Sequence, residues 1–255
     1  MKVIILCGGQ GTRLREETES RPKPLVEIGG RPILWHIMKH YGYHGFRDFV
    51  LCLGYRGNMI KRYFLDYEAM NNDLTICLGE QHRIIYHDAH AEQDYKVTLV
   101  DTGQNTMTGG RIARVRRHVE GTVFVTYGDG VSDIDLHAAL EFHRKHGRLA
   151  TVTTVRPVHR FGILEVDNAG AVTRFTEKPQ AEGWANAGFF IFEPGVFDYL
   201  EGDETILEAE PLERLALDGQ LMAYRHEGFF FAMDTYREYM HLNNMWEKGE
   251  VPWKI

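Results

Sequence analysis

The sequence predicts an α/β protein: a Rossmann-like, mostly parallel mixed sheet flanked by helices, with a smaller mixed-sheet portion in its second half. Three observations carry this expectation. Apolar runs of strand length alternate with helix-periodic segments through the first 150 residues, the pattern of parallel strands covered on both faces. The first apolar run, Val3 to Leu6, passes straight into Gly8-Gly9-Gln10-Gly11. No internal repeat, low-complexity stretch or linker divides the 255 residues, a length that supports one α/β domain with a full core.

The elements follow in order. Val3–Cys7 is an unbroken apolar run and reads as a buried strand. Ile33–Tyr41 has helical spacing, with Gly42 and Gly45 to end it. Phe49–Gly54 reads as a strand and Asn58–Tyr67 as a helix. Leu74–Leu78, Arg83–Tyr86 and Lys96–Val100 are shorter strand candidates. Arg111–Val119 reads as a helix, and Val123–Tyr127 as a strand that stops at Gly128-Asp129-Gly130. Asp135–His146 is a helix and Ala150–Val155 a strand. Beyond them, Ile163–Val166, Val172–Thr176, Ala187–Phe192, Leu221–Tyr224 and Phe229–Met233 read as strands. Glu208–Leu217 and Thr235–Trp246 read as helices.

Apolar residues make up 44% and charged residues 25% of the chain, the balance of an ordinary globular protein. The net charge of −7 speaks against a general nucleic-acid binder, whose footprint is basic. No apolar run approaches the roughly 18 residues that a membrane span needs. The first run is also shorter than the apolar core of a signal peptide. Cys7, Cys52 and Cys77 fall in predicted strands with no metal-ligand or redox spacing, so they read as small hydrophobes in a reducing cytoplasm. The expectation is a cytoplasmic protein with no nucleic-acid or membrane partner.

The chemistry concentrates in a few places. A strand that runs into Gly8-Gly9-Gln10-Gly11-Thr12-Arg13 looks like a phosphate loop. Glycines let the main chain turn tightly and bring N–H groups to an anion. Arg13 adds a planar, always-charged fork, and Lys23, between Pro22 and Pro24, adds a point charge on a stiffened segment. The plainer alternative is a glycine turn beside a surface arginine. The loop lacks the Gly-Lys-Ser/Thr of P-loop NTPases and the third glycine of the dinucleotide fingerprint.

Asp129, between Gly128 and Gly130, is placed like a Mg²⁺ ligand or like a turn aspartate bonded to its own backbone. Asp234 follows the apolar run Phe229–Met233 and precedes a helix, so it suits a second ligand or an N-cap. Asp133 and Asp135 read better as caps. Lys178, held by Pro179 and preceded by Glu177, could bind a second phosphate. Gly109-Gly110 ahead of a helix could turn its N-terminus toward an anion, with Arg111 on the first turn. His36, His40 and His44 have i, i+4 spacing, but no carboxylate completes a metal set, so core-edge or interface places fit them better. Trp246 and Trp253 should dock on the domain or on a second subunit.

The run Gly8-Gly9-Gln10-Gly11-Thr12-Arg13-Leu14, followed by Pro22 to Ile37, resembles the start of the sugar-1-phosphate nucleotidylyltransferases. Glu27-Ile28-Gly29-Gly30, Trp35-His36-Ile37 and the Asp101–Arg111 segment are similar to the glucose-1-phosphate cytidylyltransferase branch. The likeness runs from Gly8 to the tail. It implies the nucleotide-diphospho-sugar transferase fold, Mg²⁺ as cofactor, and CTP and glucose 1-phosphate as substrates of a homo-oligomer. It places Leu6, Cys7, Gly8, Gly9, Gln10, Gly11, Thr12, Arg13, Lys23, Thr106, Arg111 and Gly128 at the nucleotide, with Lys23 and Arg13 catalytic. It places Lys178, Glu177 and Asn186 at the sugar phosphate, and the metal on Asp129 and Asp234. Residues 1–150 then serve mainly the nucleotide, and residues 151–255 mainly the sugar phosphate and the C-terminal helix and tail, within one domain. Ala187 stands where the family usually has glycine, and Gln104-Asn105-Thr106 varies from its usual residues. The alternatives are a mannose-1-phosphate guanylyltransferase and, from another class, an inactive sugar-nucleotide sensor.

Overall fold

A computed structural model describes residues 1–79, 83–87, 90–158 and 161–254. Seven strands form the central sheet: β1 (Lys2–Cys7), β2 (Asp48–Leu53), β3 (Lys96–Asp101), β4 (Val123–Tyr127), β5 (Ala150–Val155), β6 (Ala185–Phe192) and β7 (Leu221–Arg225). Their spatial order is β7-β5-β6-β4-β1-β2-β3. β6 runs antiparallel to both neighbours, β4 and β5, and every other pairing in this sheet is parallel. The second half of the chain therefore completes the central sheet with β5, β6 and β7, and its smaller portion consists of two-stranded ribbons.

The unbroken apolar runs follow from burial on both faces. Side chains alternate across a strand, so β1 and β2 each feed two cores. Val3, Ile5, Phe49 and Leu51 pack on one face with helices α1 (Ile33–Tyr43), α2 (Gly57–Leu65) and α4 (Leu136–His146). Ile4, Leu6, Val50 and Cys52 pack on the other with α3 (Thr108–Arg114) and α5 (Glu210–Leu217). The helix α6 (Tyr236–Lys248) opens with a capping box, Thr235 with Glu238, and closes at Gly249 with φ 74°.

The C-terminal tryptophans dock on the chain's own domain. Trp253 is 3% exposed and stacks on Phe229 with ring centroids 5.3 Å apart. The Trp246 indole covers Gly29, where a Cβ would lie 2.1 Å from Nε1.

Several boundaries differ from the sequence expectation. The helix expected over Asn58–Tyr67 breaks at Asp66, and a short helix, Tyr67–Asn71, follows. The helix expected over Arg111–Val119 starts earlier, at Thr108, and gives way to a 3-10 turn at Arg116–His118. The strand expected over Leu74–Leu78 stops at Ile76 and pairs with Ile84–Tyr86 in a ribbon outside the central sheet. Cys77 thus lies past the strand, half-buried and free like Cys7 and Cys52. Among the described residues no helix is long and apolar enough to cross a membrane.

Two features position the site. The carboxyl ends of β1, β2 and β4 lie side by side, with Leu6 opposite both Cys52 and Tyr127. A two-stranded ribbon, Gly130–Ser132 against Phe230–Ala232, joins the segment after β4 to the segment before α6.

Candidate active site

A cavity of about 320 Å³ opens at that carboxyl edge. Gly8, Gly9, Gly11 and Thr12 form one wall, and Thr106, Met107 and Thr108 stand on another. Gln10 is exposed and does not line it. The glycines are required by close approach. A Cβ on Gly8 would lie 2.2 Å from the Arg111 guanidinium, and one on Gly128 would lie 2.9 Å from the Leu6 carbonyl oxygen. Gly11 has φ 62°, in the left-handed region that side chains disfavour.

Arg111 sits behind this loop, 5% exposed. Its guanidinium donates to the carbonyls of Leu53 (3.1 Å), Gly103 (2.7 Å), Gly8 (3.2 Å) and Gln104 (3.3 Å), and to Thr102 Oγ1 (2.9 Å). It lines the cavity and at the same time ties the ends of β2 and β3 to the glycine loop. Burial pulls its pKa below the ordinary arginine value. The sequence expectation that Gly109 and Gly110 precede the helix and face an anion is corrected. Both lie inside α3, and both N–H groups donate to the Thr205 carbonyl. They are glycines because the segment around Gly202–Thr205 packs against them, with Thr205 Cγ2 2.7 Å from a Cβ on Gly109.

The charged centre lies across the cavity. Lys23 is on a 3-10 turn, Lys23–Leu25. Its Nζ donates to Asp129 Oδ2 at 2.6 Å and to Asp234 Oδ1 at 2.7 Å. Arg13 Nη2 reaches the same Asp234 oxygen at 2.9 Å. Burial alone would lower the Lys23 pKa, but the two carboxylates outweigh it and raise the value above the ordinary lysine range. Asp234 is not the N-cap of α6, because Thr235 takes that place and frees the Asp234 carboxylate for the cavity. Asp135 caps α4 as expected. Asp133 does not cap: it accepts the Phe229 N–H at 2.7 Å and pairs with His226 at 2.9 Å.

A second cavity, of about 690 Å³, adjoins the first and shares Asp234 with it. Arg156, Gln180, Asn186, His226 and Glu238 line it. Asn186 is thus at a cavity wall, with its Oδ1 accepting the Gly188 N–H at 2.7 Å. Lys178 and Glu177 line neither cavity. They are exposed and face each other at 3.5 Å, and Lys178 holds a left-handed φ of 46°. The expected place of Lys178 on a bound phosphate is therefore not formed in this arrangement.

From the sequence, Met107 and Thr108 are read only as part of the Asp101–Arg111 segment, and they, Tyr127 and Glu208 receive no role of their own. Met107, Thr108 and Tyr127 line the first cavity. Glu208 accepts from Thr108 Oγ1 at 2.7 Å and from the Tyr127 hydroxyl. Only the place of Tyr127 at the end of a strand that points to the loop edge could have signalled this group.

Among the described residues no group of three or more His, Cys, Asp or Glu side chains is placed to hold a metal. His36 and His40 are core residues, and burial lowers both pKa values to about 4. Asp129 and Asp234 do converge on one cationic position. Two hard carboxylates fit a divalent ion that takes its other oxygens from phosphate and water.

Comparison with known proteins bears on this geometry. The family described as "Nucleotidyl transferase" matches residues 2–231. The chain is 49% identical to a glucose-1-phosphate cytidylyltransferase of Salmonella typhimurium, over 100% of this chain and 99% of that protein. It is 46% identical to a probable glucose-1-phosphate cytidylyltransferase of Bacillus subtilis, over the full length of both. The crystal structure of HddC from Yersinia pseudotuberculosis shares the fold at a TM-score of 0.70 and 22% identity, over 96% of this chain and 99% of that one.

Proposed function

The chain belongs to the nucleotidyl transferase family, and from that membership we propose that it transfers CMP from CTP to α-D-glucose 1-phosphate, giving CDP-glucose and pyrophosphate. The convergence of Lys23, Arg13, Asp129 and Asp234 beside a glycine loop carries this reading. A sugar-phosphate oxygen attacks the α-phosphorus in line. The bond to the β-phosphate oxygen breaks, and its electron pair leaves on pyrophosphate. The nucleophile is already an anion, so no general base is required. The task is to bring two anions together and hold them in line, and fixed charge does both.

The main-chain N–H groups of Gly8 to Gly11, with Arg13, hold the departing phosphates. Lys23 neutralises the α-phosphate. Leu6, Cys7, Thr106, Arg111 and Gly128 border the nucleoside. Asn186 takes the sugar, and Lys178 with Glu177 would have to leave their exposed position to reach the sugar phosphate. Bound at Asp129 and Asp234, Mg²⁺ supplies orientation of the triphosphate and neutralisation of developing charge. Residues 1–150 serve mainly the nucleotide and residues 151–255 mainly the sugar phosphate. Free cysteines, two of them buried, suit a reducing compartment such as the cytoplasm.

The test is pyrophosphate release with Mg²⁺, crossing CTP, UTP, dTTP, GTP and ATP with glucose 1-phosphate and mannose 1-phosphate. Turnover with CTP and glucose 1-phosphate above all other pairs is the expected result. Turnover with GTP and mannose 1-phosphate instead would overturn the substrate assignment. A folded, nucleotide-binding protein with no turnover would favour a sensor.

A further inference from the structure

We propose that Lys23 is the built-in counter-ion of the metal position, so that a divalent cation and the Lys23 ammonium exclude each other there until a nucleotide phosphate takes the ammonium over. This rests on the assignment of Asp129 and Asp234 to the metal made above, and extends it to the order in which ligands load.

The main chains that carry the two carboxylates are held side by side. The Met233 N–H donates to the Asp129 carbonyl at 2.9 Å, and Ala232 pairs with Gly130, so the main chains that carry the two aspartates are bonded together. The far end of the same ribbon is pinned by Asp133, which holds the Phe229 N–H and His226. Like charges held this close require a cation between them. Lys23 supplies it at 2.6 and 2.7 Å, with its side chain 11% exposed. Arg13 adds a second cation at the same Asp234 oxygen from the solvent side.

A divalent cation needs the same oxygens, at about 2.0–2.1 Å for Mg²⁺. It would then face an ammonium one hydrogen-bond length from its ligands, a like-charge contact. Lys23 must swing away, and in the empty cavity it would leave two anions for none. A triphosphate in the cavity offers the replacement partner. Metal and nucleotide affinities are therefore coupled, and by linkage each raises the other by the same factor.

The experiment measures Mn²⁺ binding by electron paramagnetic resonance on the full chain, first without nucleotide and then with a non-hydrolysable CTP analogue. Lys23→Gln should bind Mn²⁺ at least tenfold more tightly than wild type without nucleotide. The analogue should tighten Mn²⁺ binding far more in wild type than in the variant. Equal or weaker Mn²⁺ binding by Lys23→Gln overturns the proposal. Asp129→Asn separates the two levels. If it loses the ion while Lys23→Gln matches wild type, only the competition fails. If it keeps the ion at full affinity, the metal assignment fails as well.

A second measurement needs no variant. Lys23 in the wild-type protein should resist acetylation by an N-hydroxysuccinimide ester when metal-free. It should become reactive only at Mg²⁺ concentrations high enough to displace it without nucleotide, and be protected again with Mg²⁺ and CTP. Labelling of Lys23 that ignores Mg²⁺ contradicts the exchange.

Discussion

Lys23 and Lys178 were both expected at a phosphate, and the structure treats them in opposite ways. Lys23 is 9% exposed, on a proline-flanked turn, with two carboxylates and a ribbon of backbone bonds behind it. Lys178 has a side chain 51% exposed and, among the described residues, pairs with its neighbour Glu177. The hairpin before it, Ile163–Val166 with Val172–Thr176, is exposed along nearly its whole length. A side chain set on packed sheet edges keeps its geometry without a ligand, whereas a hairpin with little buried area belongs to the easily displaced end of the stability range. On the reading proposed above, the residues assigned to the nucleotide already stand together, whereas Lys178 and Glu177, assigned to the sugar phosphate, do not. The left-handed φ of Lys178 fits that view, since strain of this kind collects where a ligand must be met.

The largest effect should come from the rigid half. Asp129→Asn should remove most activity and the Mg²⁺ requirement together, and full Mg²⁺-dependent turnover in that variant would break the contrast at its root. Lys23→Ala should lower kcat by about 10²–10³, the size expected for one aimed charge in a dry site. A loss under threefold in a folded protein would take Lys23 out of the mechanism. On the other side, Lys178→Ala should raise KM for the sugar phosphate by about ten- to a hundredfold, the worth of one charged hydrogen bond, with a smaller change for CTP. An equal rise for both substrates would mean that the two halves are not distinct.

The smallest effect concerns the core under the rigid half. His36 and His40 are buried with pKa values near 4, below the ordinary 6.5 of the unfolded chain. Below pH 6.5 the unfolded state binds the extra protons, so stability is full above that value. It falls as pH drops toward 4, by about 1.4 kcal/mol per pH unit for each ring. Chemical denaturation of wild type and His40→Gln between pH 7 and 4.5 checks this, and the variant should show the shallower loss.

What was legible in the sequence follows the same division. β1 with its glycine loop, β4 with Asp129, and Asp234 were readable because a short buried strand and the turn after it are local events. The sheet then brings their ends together by a general rule of parallel topology. Gly109 and Gly110 misled because glycine before a helix-periodic run looks like a helix start. Their real reason is the segment at Gly202–Thr205, distant in sequence, that packs where a Cβ would be. Glu208 was hidden for the same reason: its partners Thr108 and Tyr127 come from other elements. The place of Lys178 could not be read at all, since a hairpin's approach to a cavity leaves no periodic mark in its own residues.

The single antiparallel strand of the central sheet has an evolutionary corollary. Val155 ends β5 and pairs with Ala185 at the start of β6, so the chain between them leaves the sheet and returns to it at one point on the active edge. Such an excursion behaves as a cassette. Its length and sequence can change at a cost that grows only slowly with loop length, without altering strand order or the nucleotide loop. On the reading proposed above, change within that one segment would move Lys178 and Glu177 while leaving the glycine loop, Lys23, Asp129 and Asp234 in place.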